Sequence, residues 1–194
     1  LANNLITSED SCLDIYANNV VLDCQGNSIN WNGSGIGKTV YGIHVQGQLF
    51  NPISNVTIKN CNLQNFSIGI ELEQVAANVV LNNSLRNIYN HGVGTYGINT
   101  KFSKNTTLLD NTVADYAYGM ADESSTNLTV ENNFLYSNFE FGLYSNTGLY
   151  LVSSKESMVQ KNILQNIPTG AYFHLVKNTT AQDNVFSKHT YGLF

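Results

Sequence analysis

The chain has 194 residues, of which 42% are hydrophobic and only 12% charged, about half the usual charged share. Net charge is −5 and Arg86 is the single arginine, which argues against a nucleic-acid partner, since such binding runs on Lys and Arg contacts to phosphate. The length suffices for one sizeable core, and no apolar run approaches the roughly 20 residues of a membrane span.

In chain order, residues 1–18 (LANNLITSEDSCLDIYAN) match no later segment and are expected to form an N-terminal capping segment. The chain opens on leucine and shows no signal peptide, which predicts a processed product or a fragment. From residue 19 to 194 two markers recur. One is a polar residue two places before an apolar one: Asn27, Cys61, Asn83, Asn111, Asn133, Asn162 and Asn184. The other is a glycine, mostly preceded by an aromatic: Gly42, Gly69, Gly97, Gly119, Gly142, Gly170 and Gly192. A unit of 22 residues, 8 plus 14, accounts for all seven copies once a few insertions are allowed.

Within each unit apolar residues alternate. Val56 and Ile58, Val79 and Leu81, and Leu128 and Val130 predict a first strand with these side chains inward. Leu63, Val113, Leu135, Leu164 and Phe186 mark a second strand. Ile70, Leu72, Ile98 and Leu143 mark a third, just after the glycine. No stretch keeps a helical period. Three short strands per turn, stacked at about 4.8 Å, describe an all-β, single-stranded parallel β-helix of about seven rungs, roughly 35 Å long. The 29 asparagines then have a reason: an amide at the same corner of every rung can bond the copies above and below. The glycine is expected to permit a second tight bend. Insertions are expected at WNGSGIGKTV (31–40), YNHGVGT (89–95) and NTGLYLV (146–152). Loops on a rigid scaffold are where binding residues gather, which makes Trp31 and His91 candidates.

The segments ANNVVLDCQGNSI (17–29), YGI (41–43) and NVTIKNCNLQNFSIGI (55–70) resemble the right-handed parallel β-helix repeat superfamily, in its NosD-like and pectin-lyase-like forms. The resemblance runs over essentially the whole chain and implies a right-handed coil and an extracellular or cell-surface location. Its members include polysaccharide lyases and hydrolases, surface-layer proteins and adhesins, so it implies the fold and leaves the function open. It also implies a disulfide between Cys12 and Cys24 that ties the cap to the first rung, with Cys61 left as a buried thiol in the amide stack. The final TYGLF ends inside a strand. That predicts either a longer natural chain or self-assembly that covers Phe194.

The residues one place beyond the inward series after each glycine should face outward, and there two zones stand out. The first holds Glu71, Glu73 and Glu123 with Lys101 on the rung between. These acids could bind Ca²⁺ or serve as acid and base on a polysaccharide. The alternative is a sign-alternating Glu73–Lys101–Glu123 column that supports the stack. Apart from Ca²⁺ there, no cofactor is called for. The second zone stacks Tyr144, Tyr172 and Phe194, with His174 beside them, which suits a sugar or a protein partner. The alternative is covering by the 146–152 insertion. Asn90-His91-Gly92 only partly echoes the motif of hydrolases of this fold. His44, His91, His174 and His189 are too scattered for copper. Outward Thr57, Thr107, Thr129 and Thr180 are interrupted by Val21, Val80 and Met158, against an ice-binding array. Seven N-x-S/T sequons, at Asn32, Asn55, Asn65, Asn82, Asn105, Asn127 and Asn178, predict glycans; Asn55, Asn105, Asn127 and Asn178 share one corner. The expected function is a surface module with a structural role or one that binds a polysaccharide or a surface protein. A polysaccharide-processing lyase or hydrolase is the alternative.

Overall fold

The computed structural model describes residues 1–33, 38–88, 94–138 and 146–193. Among them there is no helix. The strands fall into three parallel sheets, and each turn of the chain adds one strand to each sheet. The short sheet stacks Leu5–Thr7, Ser28–Trp31, Asn62–Gln64, Ser84–Arg86, Thr112–Ala114, Phe134–Tyr136, Ile163–Gln165 and Val185–Ser187. The long sheet stacks Ser11–Ile15, Tyr41–Gln46, Ile68–Glu73, Tyr96–Lys101, Tyr118–Glu123, Thr147–Val152, Thr169–His174 and Tyr191–Leu193. The third runs through Val21–Asp23, Thr57–Lys59, Val79–Leu81, Lys104–Leu109, Thr126–Glu131, Met158–Gln160 and Thr180–Gln182. This is a parallel β-helix. Residues 1–18 supply the first strands of the short and long sheets.

Like residues stack on like inside the coil. Ile43, Ile70, Ile98, Met120, Leu149 and Ala171 form one file, and Ile29, Leu63, Leu85, Val113, Leu135 and Leu164 another, all at most 1% exposed. A parallel sheet normally needs cover on both faces; curling the chain gives every sheet one dry inner face and one wet outer face. Val79 and Leu81 depart from the expected orientation. Val80 is the buried residue of that strand, in register with Ile58 and Leu108, so Val79 faces outward beside Thr57 and Thr107. The preceding inward place is taken by a polar residue, Asn78, which hides the alternation.

The asparagines do two separate jobs. At the corner between the third and short sheets, the Oδ1 atoms of Asn83, Asn111, Asn133, Asn162 and Asn184 accept the N–H groups of Cys61, Asn83, Asn111, Asn133 and Asn162, at 2.9–3.0 Å. Their Nδ2 groups donate to Ile58, Val80, Leu108, Val130 and Val159 carbonyls. This buried ladder satisfies backbone groups that a bend would otherwise orphan. At the bends, including the residue just before each ladder position, 23 described non-glycine residues lie at φ of 51–68°, and ten of them are asparagine. Asparagine tolerates this left-handed conformation better than most residues.

The repeated glycine is not a bend. Gly42, Gly69, Gly97, Gly119, Gly148 and Gly170 lie in the long sheet outside the left-handed region, where a Cβ has no room. At Gly97 it would stand 2.2 Å from Val113 Cγ1 and 2.5 Å from the Gly119 carbonyl oxygen. Gly97→Ala is therefore expected to destabilise the fold by about 1–3 kcal/mol through overpacking. Urea unfolding checks this, and an unchanged midpoint would remove the close-packing account.

Gly148, not Gly142, is the glycine of the fifth full rung. Thr147–Val152 is consequently a strand of the long sheet rather than part of an insertion. The insertion falls at 139–145, outside the described residues. With this register, three insertions leave the coil at one corner, where the short sheet leads into the long sheet, on alternate rungs. Their described roots are Gly33 and Lys38, Ile88 and Gly94, and Asn138 and Asn146.

The disulfide joins Cys24 to Cys61, with Cα atoms 4.8 Å apart, and Cys12 is free. The expected Cys12–Cys24 pairing fails because Cys12 lies in the long sheet, whereas Cys24 sits where the third sheet turns into the short one. In register, Asp23 pairs with Lys59 and Ser28 with Asn62. The four-residue turn from Cys24 to Asn27 therefore lies over the two-residue turn Asn60-Cys61. That brings Cys24 over Cys61 at the spacing of adjacent rungs, which a disulfide spans.

Candidate functional site

The outer face of the long sheet carries the chemistry. Strand alternation turns one residue of each rung outward: Asp14, His44, Glu71, Asn99, Ala121, Tyr150 and Tyr172 are in register across successive strands. Two residues further on, Gln46, Glu73, Lys101, Glu123, Val152 and His174 form a second outward file.

Glu71 faces outward yet is only 1% exposed. Lys101 Nζ lies 2.7 Å from it, and Asn99 Nδ2 donates to it at 3.0 Å. Burial alone would lower the Lys101 pKa, but the hydrogen bond and charge of Glu71, with Glu73 behind it, outweigh burial and hold the ammonium above its usual value. Lys101 stands in register between Glu73 and Glu123, yet its short contact is the diagonal one to Glu71. His44 stacks on Tyr41 (centroids 4.7 Å, 15° between planes), and its Nδ1 lies 3.4 Å from Asp14. Glu73 is half-buried and Glu123 exposed.

Next to this acid cluster runs an aromatic file. Tyr96 stacks on Tyr118 (5.0 Å, 13°), Tyr118 meets Tyr150 (5.0 Å, tilted 58°), and Tyr150 stacks on Tyr172 (5.3 Å, 10°). His174 lies 6.1 Å beyond Tyr172. Burial pushes the Tyr96 and Tyr150 hydroxyls above their usual pKa, so they stay protonated and can both donate and accept. Where the file crosses from one outward column to the other, the small Ala121 leaves an open notch of about 270 Å³. It is lined by Tyr96, Asn99, Lys101, Ala121, Asp122, Glu123, Tyr150 and Val152. That is near the small end of ligand clefts, which run from roughly 300 Å³. The Asp122 side chain itself points into the coil, where the Thr100 and Ser154 hydroxyls donate to it and burial raises its pKa.

Of the residues singled out from the sequence, Glu71, Glu73, Glu123, Tyr172 and His174 do lie on this one face. Tyr144, Phe194 and His91 lie outside the described residues. Tyr150 occupies the column place expected of Tyr144, six residues later. Trp31 is 3% exposed and belongs to the core at the end of its short-sheet strand, rather than to a binding loop. Tyr41, Tyr96 and Tyr118 had a visible signal, being the aromatics before the repeated glycine. Among the sequons, Asn32, Asn55, Asn82, Asn105, Asn127 and Asn178 are exposed. Asn65 is buried, with its amide donating to Asn30. Asn55, Asn105, Asn127 and Asn178 share a left-handed corner. Among the described residues no three His, Cys, Asp or Glu side chains come together around a metal position.

The description "Right handed beta helix region" matches residues 41–194. No curated protein sequence matches the chain. Among solved structures, PfbA, a surface adhesin of Streptococcus pneumoniae, is similar over 84% of this chain and 44% of its own, at 16% identity and a TM-score of 0.63. DFA-IIIase from Arthrobacter chlorophenolicus A6, solved in complex with GF2, is similar over 84% and 37%, at 14% identity and a TM-score of 0.56. At these identities the likeness is one of fold, and this chain spans less than half of either protein.

Proposed function

Because this chain belongs to the right-handed β-helix family, whose rigid coil offers long flat faces, we propose that it is an extracellular or cell-surface module that binds a glycan on the outer face of its long sheet. The observation that carries this is the tyrosine file from Tyr96 to Tyr172 with the notch over Ala121. Tyrosines present apolar ring surface and a hydroxyl together, the combination that a sugar's C–H faces and hydroxyls match. The Cys24–Cys61 bridge favours an oxidising compartment. The fold likeness to a surface adhesin agrees with this location. Glycans on Asn55, Asn105, Asn127 and Asn178 would line the corner between the long and third sheets and leave the tyrosine face open.

A polysaccharide-cleaving activity would need a carboxyl free to reach the glycosidic oxygen. Glu71 is held by Lys101 and Asn99 inside the sheet face. Glu73 and Glu123 stand two strands apart, roughly 10 Å along the rod. Binding is the better supported role.

A glycan array probed with the wild-type chain and with Tyr150→Ala tests the proposal. We expect a defined set of glycans to bind the wild type and Tyr150→Ala to lose roughly tenfold or more in affinity, with its melting curve retained. No binding across the array would overturn the reading. Cleavage of any polysaccharide in solution would replace it with catalysis.

A further inference from the structure

The charge of the notch bears on which glycan it takes, a question that rests on the glycan-binding function proposed above. The outer face of the long sheet carries Asp14, Glu71, Glu73 and Glu123 against one lysine, Lys101. That lysine is committed, with its ammonium 2.7 Å from Glu71. The single arginine, Arg86, is on the short sheet, where its Nε bonds Asp115 at 3.0 Å. His44 lies against Asp14, and His174 stands at the far end beyond Tyr172. A uronate or sulfate group is recognised by a guanidinium fork or a free ammonium. The notch offers neither among the described residues.

The groups it leaves uncommitted are negative. Glu73 and Glu123 flank Lys101 on the neighbouring strands, and neither makes a hydrogen bond or ion pair among the described residues. Glu123 is exposed and lines the notch. The two tyrosines on the walls, Tyr96 and Tyr150, add the negative faces of their rings, which attract a cation at close range.

We infer that the notch selects a glycan with free amino groups, a hexosamine whose nitrogen is unacylated, its ammonium bonding Glu123 while the sugar ring fills the hollow over Ala121. An N-acetyl group removes the charge that Glu123 would meet. A carboxylate adds repulsion from Glu73 and Glu123.

Titration calorimetry at low salt tests this, with a glucosamine tetrasaccharide, its fully N-acetylated counterpart and a galacturonic acid tetrasaccharide. The amino form should bind roughly tenfold more tightly than the other two, and salt raised to about 0.5 M should erode that advantage. Glu123→Gln should abolish the preference, and Glu131→Gln, on the third sheet, should leave it intact. Equal or tighter binding of the N-acetylated or uronate form overturns the inference, as does binding confined to other glycans on the array. In both cases the glycan-binding function stands, provided Tyr150→Ala still weakens the interaction. If no glycan binds at all, both fall together.

Discussion

Replacing Asn133 with alanine is expected to lower the unfolding free energy by about 3–4 kcal/mol, more than most single substitutions. Asn133 is a middle step of the buried ladder, and its side chain serves both neighbours. Its Oδ1 accepts the Asn111 backbone N–H at 2.9 Å and the Asn111 amide at 3.1 Å. Its Nδ2 donates to the carbonyls of Leu108 and Glu131, each at 2.9 Å, and to Asn162. Alanine leaves several of these groups buried without partners, and each orphaned group costs about 1–3 kcal/mol. Gln182→Ala is the control, because Gln182 is exposed, lies outside the left-handed region, and its amide donates to Gln160 at 2.9 Å. Its cost should stay below about 1 kcal/mol. Urea denaturation of both variants makes the comparison, and similar losses would mean that the buried ladder is no more than a surface amide row.

The second large effect belongs to the disulfide. Cys24→Ala with Cys61→Ala should cost about 4 kcal/mol, the chain-entropy value for a loop with a sequence separation of 37. Cys12→Ser should change stability by no more than about 0.5 kcal/mol, since Cys12 is half-buried and unpaired. Thermal unfolding with and without reductant separates the two, and peptide mapping under non-reducing conditions identifies the bridge. A large loss in Cys12→Ser, matched by a small one in the double variant, would restore the pairing of the cap.

The period was legible because its causes are local. An amide is needed at one corner of every turn, a residue without a Cβ is needed where adjacent rungs crowd, and apolar side chains must alternate between them. The register of the fifth rung was harder. Phe141-Gly142-Leu143-Tyr144 imitates the aromatic, glycine and apolar signature, while the strand is built on Thr147-Gly148-Leu149-Tyr150. The aromatic before the glycine faces outward and is dispensable; the spacing of 14 residues to the next ladder asparagine holds from Gly69, Gly97, Gly119 and Gly170, and only Gly148 keeps it before Asn162.

Cys24 and Cys61 were separable only by knowing that one turn holds four residues and the other two. At the candidate site, alternation placed the acids and two of the aromatics on one face. It could not say that Lys101 reaches diagonally to Glu71, nor that the tyrosine file changes column at Tyr118. Those choices are made by side-chain torsions between rungs, and a linear pattern does not encode them.

The placement of the three insertions on alternate rungs sets a limit on what this rod can display. Rungs repeat at about 4.8 Å, but a loop with side chains on both flanks is closer to 10 Å thick, the distance at which two packed layers of chain sit. Loops leaving every rung at the same corner would collide. One loop per two rungs is therefore about the densest spacing that corner allows, and the chain already uses it. Further diversification of this protein has to lengthen or rewrite these three loops, or build on the corner between the long and third sheets, where residues 47–52 already leave the first full rung.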